Sequence, residues 1–390
     1  MTRRLPLLAS TLLFLLPLQP KAQAESFPRV GGGEPRDGIQ EVTLRHEWTL
    51  GSEDMLIGQI GSIAVDDEGT VFVLDGQLGE VQVISADGTW LRSIGRAGEG
   101  PGEFRQPNDM FLTHDGNVAV VQQQPAKVAL IAKDGTTLDD ATLPDATDGF
   151  RFLLRGLPTN DGFALATAML TPSQDGGIGT KVFVETISTE GKLIGRLFGV
   201  DSSIDMVEGT VPERSIDNIS MYWAVTTDDR IAGRASFDEY AIEVRSLDGT
   251  PLYEIRRDVP ARRRTAEELE NAGDGFDMTI NEREIEMIPE PNARMIDWIS
   301  ARPDGVLWAM LRETAEIDGA AGRAMRIDAF DAQGTYLRQL VVRGNVPHED
   351  RIRIVGDSAF VIHEPEDEED GEITLSCFSL EGLRDPELRP

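Results

Sequence analysis

The chain has 390 residues, a length that suits two ordinary domains or one large repeat architecture. Asp and Glu number 68 against 37 Lys and Arg, giving a formal net charge of -31 that argues against binding to nucleic acid or an anionic membrane. Apolar residues make up 40% of the chain, enough for a folded core, and the single cysteine, Cys377, excludes an intrachain disulfide and a zinc site built from cysteines.

The first 24 residues have the pattern of an export signal. A basic start, Thr2-Arg3-Arg4, precedes an apolar run over residues 5–18 and the small-residue cleavage pattern Ala22-Gln23-Ala24. The run is too short to span a bilayer comfortably, and no later segment is long enough. We therefore expect a mature chain, residues 25–390, that is periplasmic or secreted and has no membrane span. An uncleaved membrane anchor is the alternative.

Turn signals recur through the mature chain in two sets of six. The first set is Glu68-Gly69, Asp115-Gly116, Asp161-Gly162, Asp228-Asp229, Asp304-Gly305 and Gly356-Asp357. The second set is Asp87-Gly88, Asp134-Gly135, Glu190-Gly191, Asp248-Gly249, Gln333-Gly334 and Glu381-Gly382. Short runs rich in β-branched residues flank these turns, as in strands joined by tight hairpins. The turn glycines of the second unit lie 47 residues after those of the first, and the two turns within each unit are 19 residues apart.

Six units of four short antiparallel strands predict an all-β fold, a six-bladed β-propeller formed by residues 25–390 as one domain. A pair of β-sandwiches is the structural alternative. The last unit lacks its outer strand, because the chain reads Leu-Arg-Asp-Pro after Gly382. A strand-like run at residues 41–48 can supply it. We expect this N-terminal strand to pair beside the strand that contains Cys377 and to close the ring.

Residues 63–104 also resemble an NHL-type repeat. The segment Ile94-Gly95-Arg96-Ala97-Gly98-Glu99-Gly100-Pro101-Gly102-Glu103-Phe104 is similar to the signature of bacterial exported six-bladed propellers of that type. The resemblance covers the first two units, about a quarter of the chain, and the other four depart from it. It implies the fold and an exported location, and it implies no reaction.

The positions of the insertions predict which face of the propeller carries a functional site. Those at 171–180, 313–323 and 364–372 join the second and third strands of a unit, and that at 261–292 links two units, so all four should emerge on one face. The alternative is that the insertions are tolerated sequence changes at the surface, without a function. In the largest insertion, Thr265 and Glu268 form a capping-box pattern that predicts a short helix, and residues 281–287 suggest a second. We expect this insertion to form a lid whose Arg262, Arg263 and Arg264 bind an anionic group or a partner, or pair with nearby glutamates.

Three arginines share one offset from the first turn of their units. Arg105, Arg151 and Arg294 each lie eleven residues before the turn glycine, and the same offset from Asp229 gives Asn218. Equivalent positions in a propeller lie at equal radius, which predicts a ring of side chains at the channel mouth. Arginine suits a carboxylate, phosphate or sulfate. The alternative is that each arginine forms an ion pair with a nearby carboxylate such as that of Glu103 or Asp148.

Signals for catalysis are few. The histidines His46, His114, His348 and His363 are scattered, and neither a nucleophile elbow nor a phosphate-binding loop is present. Asn108, Asp109 and Asn218 leave open a channel site for Ca²⁺ or another divalent metal, although no cofactor is expected; the acidic run 364–372 could bind calcium loosely.

These observations predict a monomeric, non-catalytic binding or scaffolding propeller that recognises a protein or a small anionic or carbohydrate ligand. The alternative is a metal-dependent lactonase or lyase with its site in the channel.

Overall fold

The computed structural model describes residues 28–51, 53–144, 149–172, 178–204, 208–217, 222–273, 276, 279–280, 283–311, 323–347, 350–365 and 372–383. The expected export signal, Asn218, His348 and most of the insertions at 313–323 and 364–372 lie outside these residues. The regular secondary structure of the described residues is almost entirely β-strand. Within these segments, no helix has the length and apolar character needed to cross a membrane.

The first complete sheet follows the predicted strand–turn pattern. After β1 (Arg29–Val30) and β2 (Ile39–Leu50), it is formed by β3 (Ile60–Val65), β4 (Val71–Asp75), β5 (Glu80–Ile84) and β6 (Trp90–Ile94), antiparallel and in chain order. Its turn glycines, Gly69 and Gly88, have φ values of 83° and 86°, a left-handed conformation that side chains with a Cβ disfavour. A Cβ on Gly88 would also lie 2.5 Å from Cγ of Trp48 on β2. Both constraints explain a glycine at this turn.

The second sheet has three strands where the sequence predicts four. A short ribbon, β7 (Arg96–Ala97) and β8 (Glu103–Phe104), leads into β9 (Pro107–Leu112), β10 (Val118–Gln122) and β11 (Lys127–Ile131). The next segment keeps only an isolated bridge between Ile131 and Thr137 and single backbone hydrogen bonds from Leu138 and Ala141 to β11. The acidic pair at 139–140 separates these contacts, so a continuous fourth strand does not form.

Two further four-stranded antiparallel sheets follow. The third sheet contains β12 (Phe150–Thr159), β13 (Gly162–Pro172), β14 (Ile178–Ser188) and β15 (Leu193–Ile204). After β16 (Thr210–Pro212) and α1 (Glu213–Ile216), the fourth sheet contains β17 (Trp223–Val225), β18 (Arg230–Arg234), β19 (Ala241–Ser246) and β20 (Pro251–Arg256). Strand β1 adds to its outer edge, parallel to β20.

The largest insertion contains one of its two predicted helices. Helix α2 (Ala266–Glu270) begins at Thr265 with the predicted capping box, and a 3₁₀ turn (Asn271–Gly273) extends it. The second predicted helix, at 281–287, is wrong, because the described part of that region forms β21 (Thr279–Ile280), β22 (Arg283–Glu284) and β23 (Glu286–Ile288). Strand β23 pairs parallel with β16, and Ile285 is buried with Val211 and Ile204. This distant strand partner outweighs the local helical pattern.

The remaining strands form one eight-stranded sheet. They are β24 (Ile296–Ala301), β25 (Leu307–Leu311), β26 (Arg323–Phe330), β27 (Tyr336–Gly344), β28 (Arg351–Val355), β29 (Ser358–His363) and β30 (Thr374–Glu381), with β2 inserted between β27 and β30. The beginning of β2 pairs parallel with β27, and the rest pairs antiparallel with β30, where Trp48 faces Cys377. The expected pairing of the N-terminal strand is therefore present.

The sheets pack on one another in sequence. The first strands of successive sheets are in contact in the order β28, β3, β9, β12, β17 and β24. Separate apolar clusters fill the spaces between neighbouring sheets, for example Phe72 with Met110 and Phe111 with Leu153. Another cluster joins the β24–β27 half of the eight-stranded sheet to the β28–β30 half. The core thus consists of layers between sheets that surround the first strands.

Candidate functional site

Five polar and aromatic side chains meet where the fourth sheet adjoins β24. This Asp217 cluster consists of Asp217, Tyr222, Arg234, Phe237 and Arg294. Asp217 follows α1, Tyr222 precedes β17, Arg234 ends β18, Phe237 lies in the next loop and Arg294 precedes β24. The cluster therefore lies at the end of the sheets that carries the loops between second and third strands. This is the face on which the insertions predict a functional site.

One buried carboxylate holds both guanidinium groups of the cluster. Asp217, whose side chain is 2% exposed, accepts a hydrogen bond from Nη2 of Arg234 and lies 2.8 Å from Nε of Arg294. Nη1 of Arg294 is also 3.4 Å from Oδ1 of Asp297. The Tyr222 ring centroid is 3.7 Å from Cζ of Arg234 and 5.0 Å from Cζ of Arg294. The two arginines are thus fixed by charge and by cation–π contacts.

Burial and charge determine the protonation of the cluster. Burial raises the pKa of Tyr222 to about 12, so its hydroxyl remains protonated at neutral pH. Burial also lowers the pKa of Arg234, although the charge of Asp217 opposes this shift. For Arg294, burial is outweighed by Tyr222, Asp217 and Asp297, and its pKa is raised. Tyr222, Arg234 and Arg294 supply hydrogen-bond donors and two positive charges, which the carboxylates of Asp217 and Asp297 balance.

The arginines expected in a lid are mostly held within the protein. Arg262 donates from Nη1 to both carboxylate oxygens of Glu268, at 2.8 and 2.9 Å. Arg264 binds Glu213 through two hydrogen bonds of 2.5 and 2.8 Å. Arg263 is exposed, and its backbone forms a bridge with Asn292. These contacts anchor the insertion, and binding of a ligand by the three arginines stays a prediction.

The buried carboxylate of Glu213 is the main anchor of the insertion. Burial disfavours its charge, but Arg264 and the backbone N–H of Glu290, which donates to it at 2.9 Å, outweigh burial and lower its pKa. The insertion is therefore tied to α1 by a group that is ionised at neutral pH.

The three arginines of the expected ring have separate partners. Arg105 is exposed and paired with Glu99. Arg151 is buried, donates to the carbonyl of Pro144 at 2.5 Å and has Nη2 3.6 Å from Glu185 on the third sheet. Arg294 belongs to the Asp217 cluster, and Asn218 lies outside the described residues. The structure brings Arg294 close to the insertion but gives each arginine its own carboxylate, so joint anion binding stays a prediction.

Two clefts open at the end of the sheets where the Asp217 cluster lies. The larger, about 640 Å³, is lined by residues 29–33, by the loop at 238–240 and by the link at 256–261. Beneath it, Cζ of Arg257 is 4.2 Å from the ring centroid of Tyr336, and Arg257 and Tyr336 both bind the carboxylate of Asp328. The smaller, about 330 Å³, lies between the first and second sheets and is lined by Arg105. These clefts offer space for a ligand on that face.

The residues proposed for a metal are engaged in other ways. Asn108 donates from Nδ2 to the carbonyl of Leu153 at 3.1 Å, and Asp109 accepts from the backbone N–H of Gly156 at 2.9 Å. Burial raises the pKa of Asp109, although the nearby charge of Arg155 opposes this shift. The positive charge of Arg155 also repels a cation. Within the described ranges, no group of three or more His, Cys, Asp or Glu side chains is placed to hold a metal.

Sequence reasoning missed a polar position at the end of the second strand. Asp75 ends β4 and accepts hydrogen bonds from four backbone N–H groups, two before β3 and two in the loop after β4. Gln122 ends β10 and links Arg105 N to the carbonyl of Pro125. Both residues lie six positions after a turn glycine, so the repeat contained a signal for them. They order the loops that line the smaller cleft.

Comparison with known proteins agrees with the topology. The family model of DUF5128, a 6-bladed beta-propeller, matches residues 51–144. No curated protein matches the chain in sequence. Together with the sequence of packed antiparallel sheets, the family match supports a β-propeller.

Several solved structures are similar at low identity. A DUF4221 family member from Bacteroides vulgatus is 11% identical, with 88% of this chain and 99% of that chain covered and a TM-score of 0.45. Virginiamycin B lyase from Staphylococcus aureus is 16% identical, with coverage of 85% and 98% and a TM-score of 0.40. The calcium-binding protein regucalcin from Agrobacterium tumefaciens is 11% identical, with coverage of 88% and 97% and a TM-score of 0.41. At this similarity, none of their activities is transferred to this chain.

Proposed function

We propose that this chain is an exported six-bladed β-propeller that binds an anionic ligand or partner, without catalysis, on the face that carries the Asp217 cluster. Six blades are supported by the two sets of six turns and by apolar clusters between successive sheets. The description of the family matched at residues 51–144 agrees with this count. Export is supported by the signal pattern of residues 1–24.

The observation that carries this proposal is the junction of the larger cleft with the Asp217 cluster. Asp238 lines the cleft, accepts a hydrogen bond of 2.8 Å from Asn292 and lies 3.8 Å from Nη2 of Arg214. Arg214 in turn packs on Phe237 of the cluster, with Cζ 5.4 Å from the ring centroid. Cleft and cluster therefore form one continuous surface.

Arg214 is the arginine beside the Asp217 cluster that is most available to a ligand. Its side chain is 52% exposed, whereas the side chains of Arg234 and Asp217 are almost completely buried. Its present partner, Glu290, accepts two hydrogen bonds of 3.1 Å, from Nε and Nη2. A ligand carboxylate can compete with Glu290 for Arg214, because about half of the arginine side chain is accessible to solvent. Carboxylates, phosphates and acidic sugars match the planar fork of arginine.

A thermal-shift panel tests the proposal. We expect one or more small anions, including uronic acids, to raise the melting temperature of the purified protein above a chloride control of equal ionic strength. Arg214→Ala should remove the rise. Arg45→Ala, which removes an exposed arginine on β2 paired with Glu381, is the matched control and should retain it. A rise that Arg214→Ala does not reduce would contradict binding at this surface.

The metal-dependent lactonase or lyase remains the alternative from the sequence. Its proposed oxygen ligands, Asn108 and Asp109, lie on β9, a first strand. Metal analysis of the purified protein separates the two functions. Stoichiometric metal that survives a chelator would favour the enzyme.

A further inference from the structure

The smaller cleft is formed by three segments of the first two sheets. It lies between the loop that follows β4, the link from β6 to β9 and the loop that follows β10. Each segment contributes one glutamine to the lining, namely Gln77, Gln106 and Gln124. Gln77 and Gln124 lie 47 residues apart, which is the repeat distance of the first two units. The repeat therefore places equivalent side chains of neighbouring sheets on one cleft.

The three glutamine side chains are available to a ligand. All three residues are exposed, and within the described part of the chain their side-chain amides have no hydrogen-bond partner. Each amide group offers two N–H donors and one acceptor oxygen. Gln106 also has a φ of 47°, a left-handed conformation that is uncommon outside glycine and that clusters at ligand sites. The cleft thus offers donors and acceptors that the protein itself does not use.

Two buried side chains hold the loops of the cleft in place. Asp75, 1% exposed, accepts a hydrogen bond of 3.0 Å from the backbone N–H of Gln77. Gln122, 3% exposed, accepts from the backbone N–H of Arg105 at 2.6 Å and donates to the carbonyl of Pro125 at 2.7 Å. Because these bonds form without a ligand, binding in the cleft costs little ordering of the loops.

The charges that line the cleft cancel. Arg105 and Glu99 are its two charged lining residues, and they form an ion pair with each other. Their side chains are 58% and 77% exposed, so the pair lies at the rim. A cleft with no net charge favours a ligand that also carries none.

The backbone around the cleft is already paired. The N–H of Gly76 donates to the carbonyl of Gln59 at 2.9 Å, and those of Gln77 and Gly79 donate to Asp75 at 3.0 Å. A peptide that binds by adding a strand needs free backbone groups on its partner. The lining glutamine side chains are therefore the groups that recognise a ligand here.

We propose that the smaller cleft binds a neutral sugar of one or two rings, at a site separate from the Asp217 cluster. A hydroxyl both donates and accepts hydrogen bonds, so neighbouring hydroxyls of one sugar can bind the side-chain amides of Gln77, Gln106 and Gln124 together. The cleft volume of about 330 Å³ is at the small end of the range of about 300–1,000 Å³ for ligand pockets. Phe104, the aromatic residue of the lining, is fully buried, so hydrogen bonds and not ring stacking carry the binding.

Saturation-transfer difference NMR of the purified protein tests this site. The probes are glucose, galactose, mannose, N-acetylglucosamine, maltose and cellobiose. We expect at least one of them to bind saturably. Its dissociation constant should change less than about twofold between low and high NaCl, because salt screens charges and the ligand has none. The proposal is overturned if none of the six sugars binds saturably in the millimolar range.

Variants locate the bound sugar. The double variant Gln77→Ala, Gln124→Ala should weaken binding about tenfold or more, because it removes hydrogen bonds from two sides of the cleft. Gln333→Ala is the matched control, since it removes an exposed glutamine in the turn between β26 and β27, and it should bind like the unaltered protein. Unchanged binding in the double variant, or equal weakening in the control, would overturn the site. Circular dichroism checks that both proteins remain folded.

Two further probes separate other classes of ligand. N-acetylalanine methylamide, a neutral peptide unit, and acetate should each bind more weakly than the sugar. Tighter binding of the methylamide would assign the cleft to a peptide, tighter binding of acetate would assign it to an anion, and either result would overturn the proposal. Arg214→Ala should leave sugar binding unchanged, because Arg214 lies beside the Asp217 cluster. Failure at one site is therefore distinguishable from failure at the other.

Discussion

Replacing Asp75 with Ala should destabilise the protein more than the loss of an ordinary surface carboxylate. Its side chain is 1% exposed and accepts four hydrogen bonds from backbone N–H groups. Oδ2 accepts from Gly58 at 2.6 Å. Oδ1 accepts from Gln59, Gln77 and Leu78 at 3.2, 3.0 and 2.8 Å. The carboxylate thus joins the segment before β3 to the loop after β4.

The magnitude follows from these bonds. A hydrogen bond to a charged group contributes about 1.5–3 kcal/mol net to stability. In the variant, those of the four backbone N–H groups that become accessible can bind water instead, which recovers part of the lost stability. Counting the two shortest bonds in full gives a loss of about 4 kcal/mol in the free energy of unfolding. At about 2 cal/mol/K of unfolding entropy per residue, this lowers the melting temperature by about 5 °C.

Urea unfolding followed by tryptophan fluorescence measures this loss. Asp75→Asn should lose about half as much, because its amide oxygen can keep the bonds to Oδ1 while its NH₂ faces the N–H of Gly58. Asp87→Ala is the control, since its exposed carboxylate accepts hydrogen bonds from Ser85 Oγ and from Thr89 N within one turn, and it should cost much less stability than Asp75→Ala. If Asp75→Ala is as stable as Asp87→Ala, the carboxylate does not organise the loops and the reasoning is refuted.

Three further predictions concern the anchor, a turn and export. Glu213→Gln should cost about 3 kcal/mol at pH 7, measured by urea unfolding, because it breaks a buried ion pair. Since the pKa of Glu213 is lowered in the folded protein, the stability that it contributes is present above its ordinary pKa of 4.5 and is lost as the pH falls through the folded pKa. The difference in free energy of unfolding between Glu213→Gln and the unaltered protein should therefore shrink on acidification, and a difference that grows would contradict this. Gly88→Ala should cost about 3 kcal/mol in the same assay, because its φ of 86° and the nearby Trp48 ring both oppose a Cβ, and a neutral effect would show that the turn can rearrange. The intact mass of the exported protein should correspond to a chain that starts at Glu25, and retention of residues 1–24 would refute the signal assignment.

Hairpin turns and strand alternation were predictable from sequence because they depend on neighbouring residues. Glycines with positive φ occupy predicted turns such as 68–69 and 87–88, and the capping box of α2 has its predicted hydrogen bonds. The strand at 286–288 was missed because it depends on pairing with residues 210–212, which are distant in the chain. Local pattern could not reveal that partner.

The candidate site was predictable only in part for the same reason. A repeated offset identifies Arg294 but not the carboxylate that holds it, because Asp217 lies 77 residues earlier in the chain. Tyr222 and Phe237 carry no repeat signal, and they acquire a role only through their contacts with Arg234 and Arg294. Charge partners and cation–π contacts between separate segments arise from the fold, and residue spacing does not encode them.

The position of β2 has a consequence for the order in which the protein can fold. Arg45 and Glu381 form an ion pair although 336 positions separate them in the chain. Strand β2 is synthesised early and therefore lacks its antiparallel partner until the last strand is complete. In a chain exported from its N-terminus, β2 would reach the new compartment early and remain without its antiparallel partner until β30 arrives. Pairing of β2 with β30 is then the final step, and a truncated chain that lacks β30 would leave an open edge for proteases and for association with other chains.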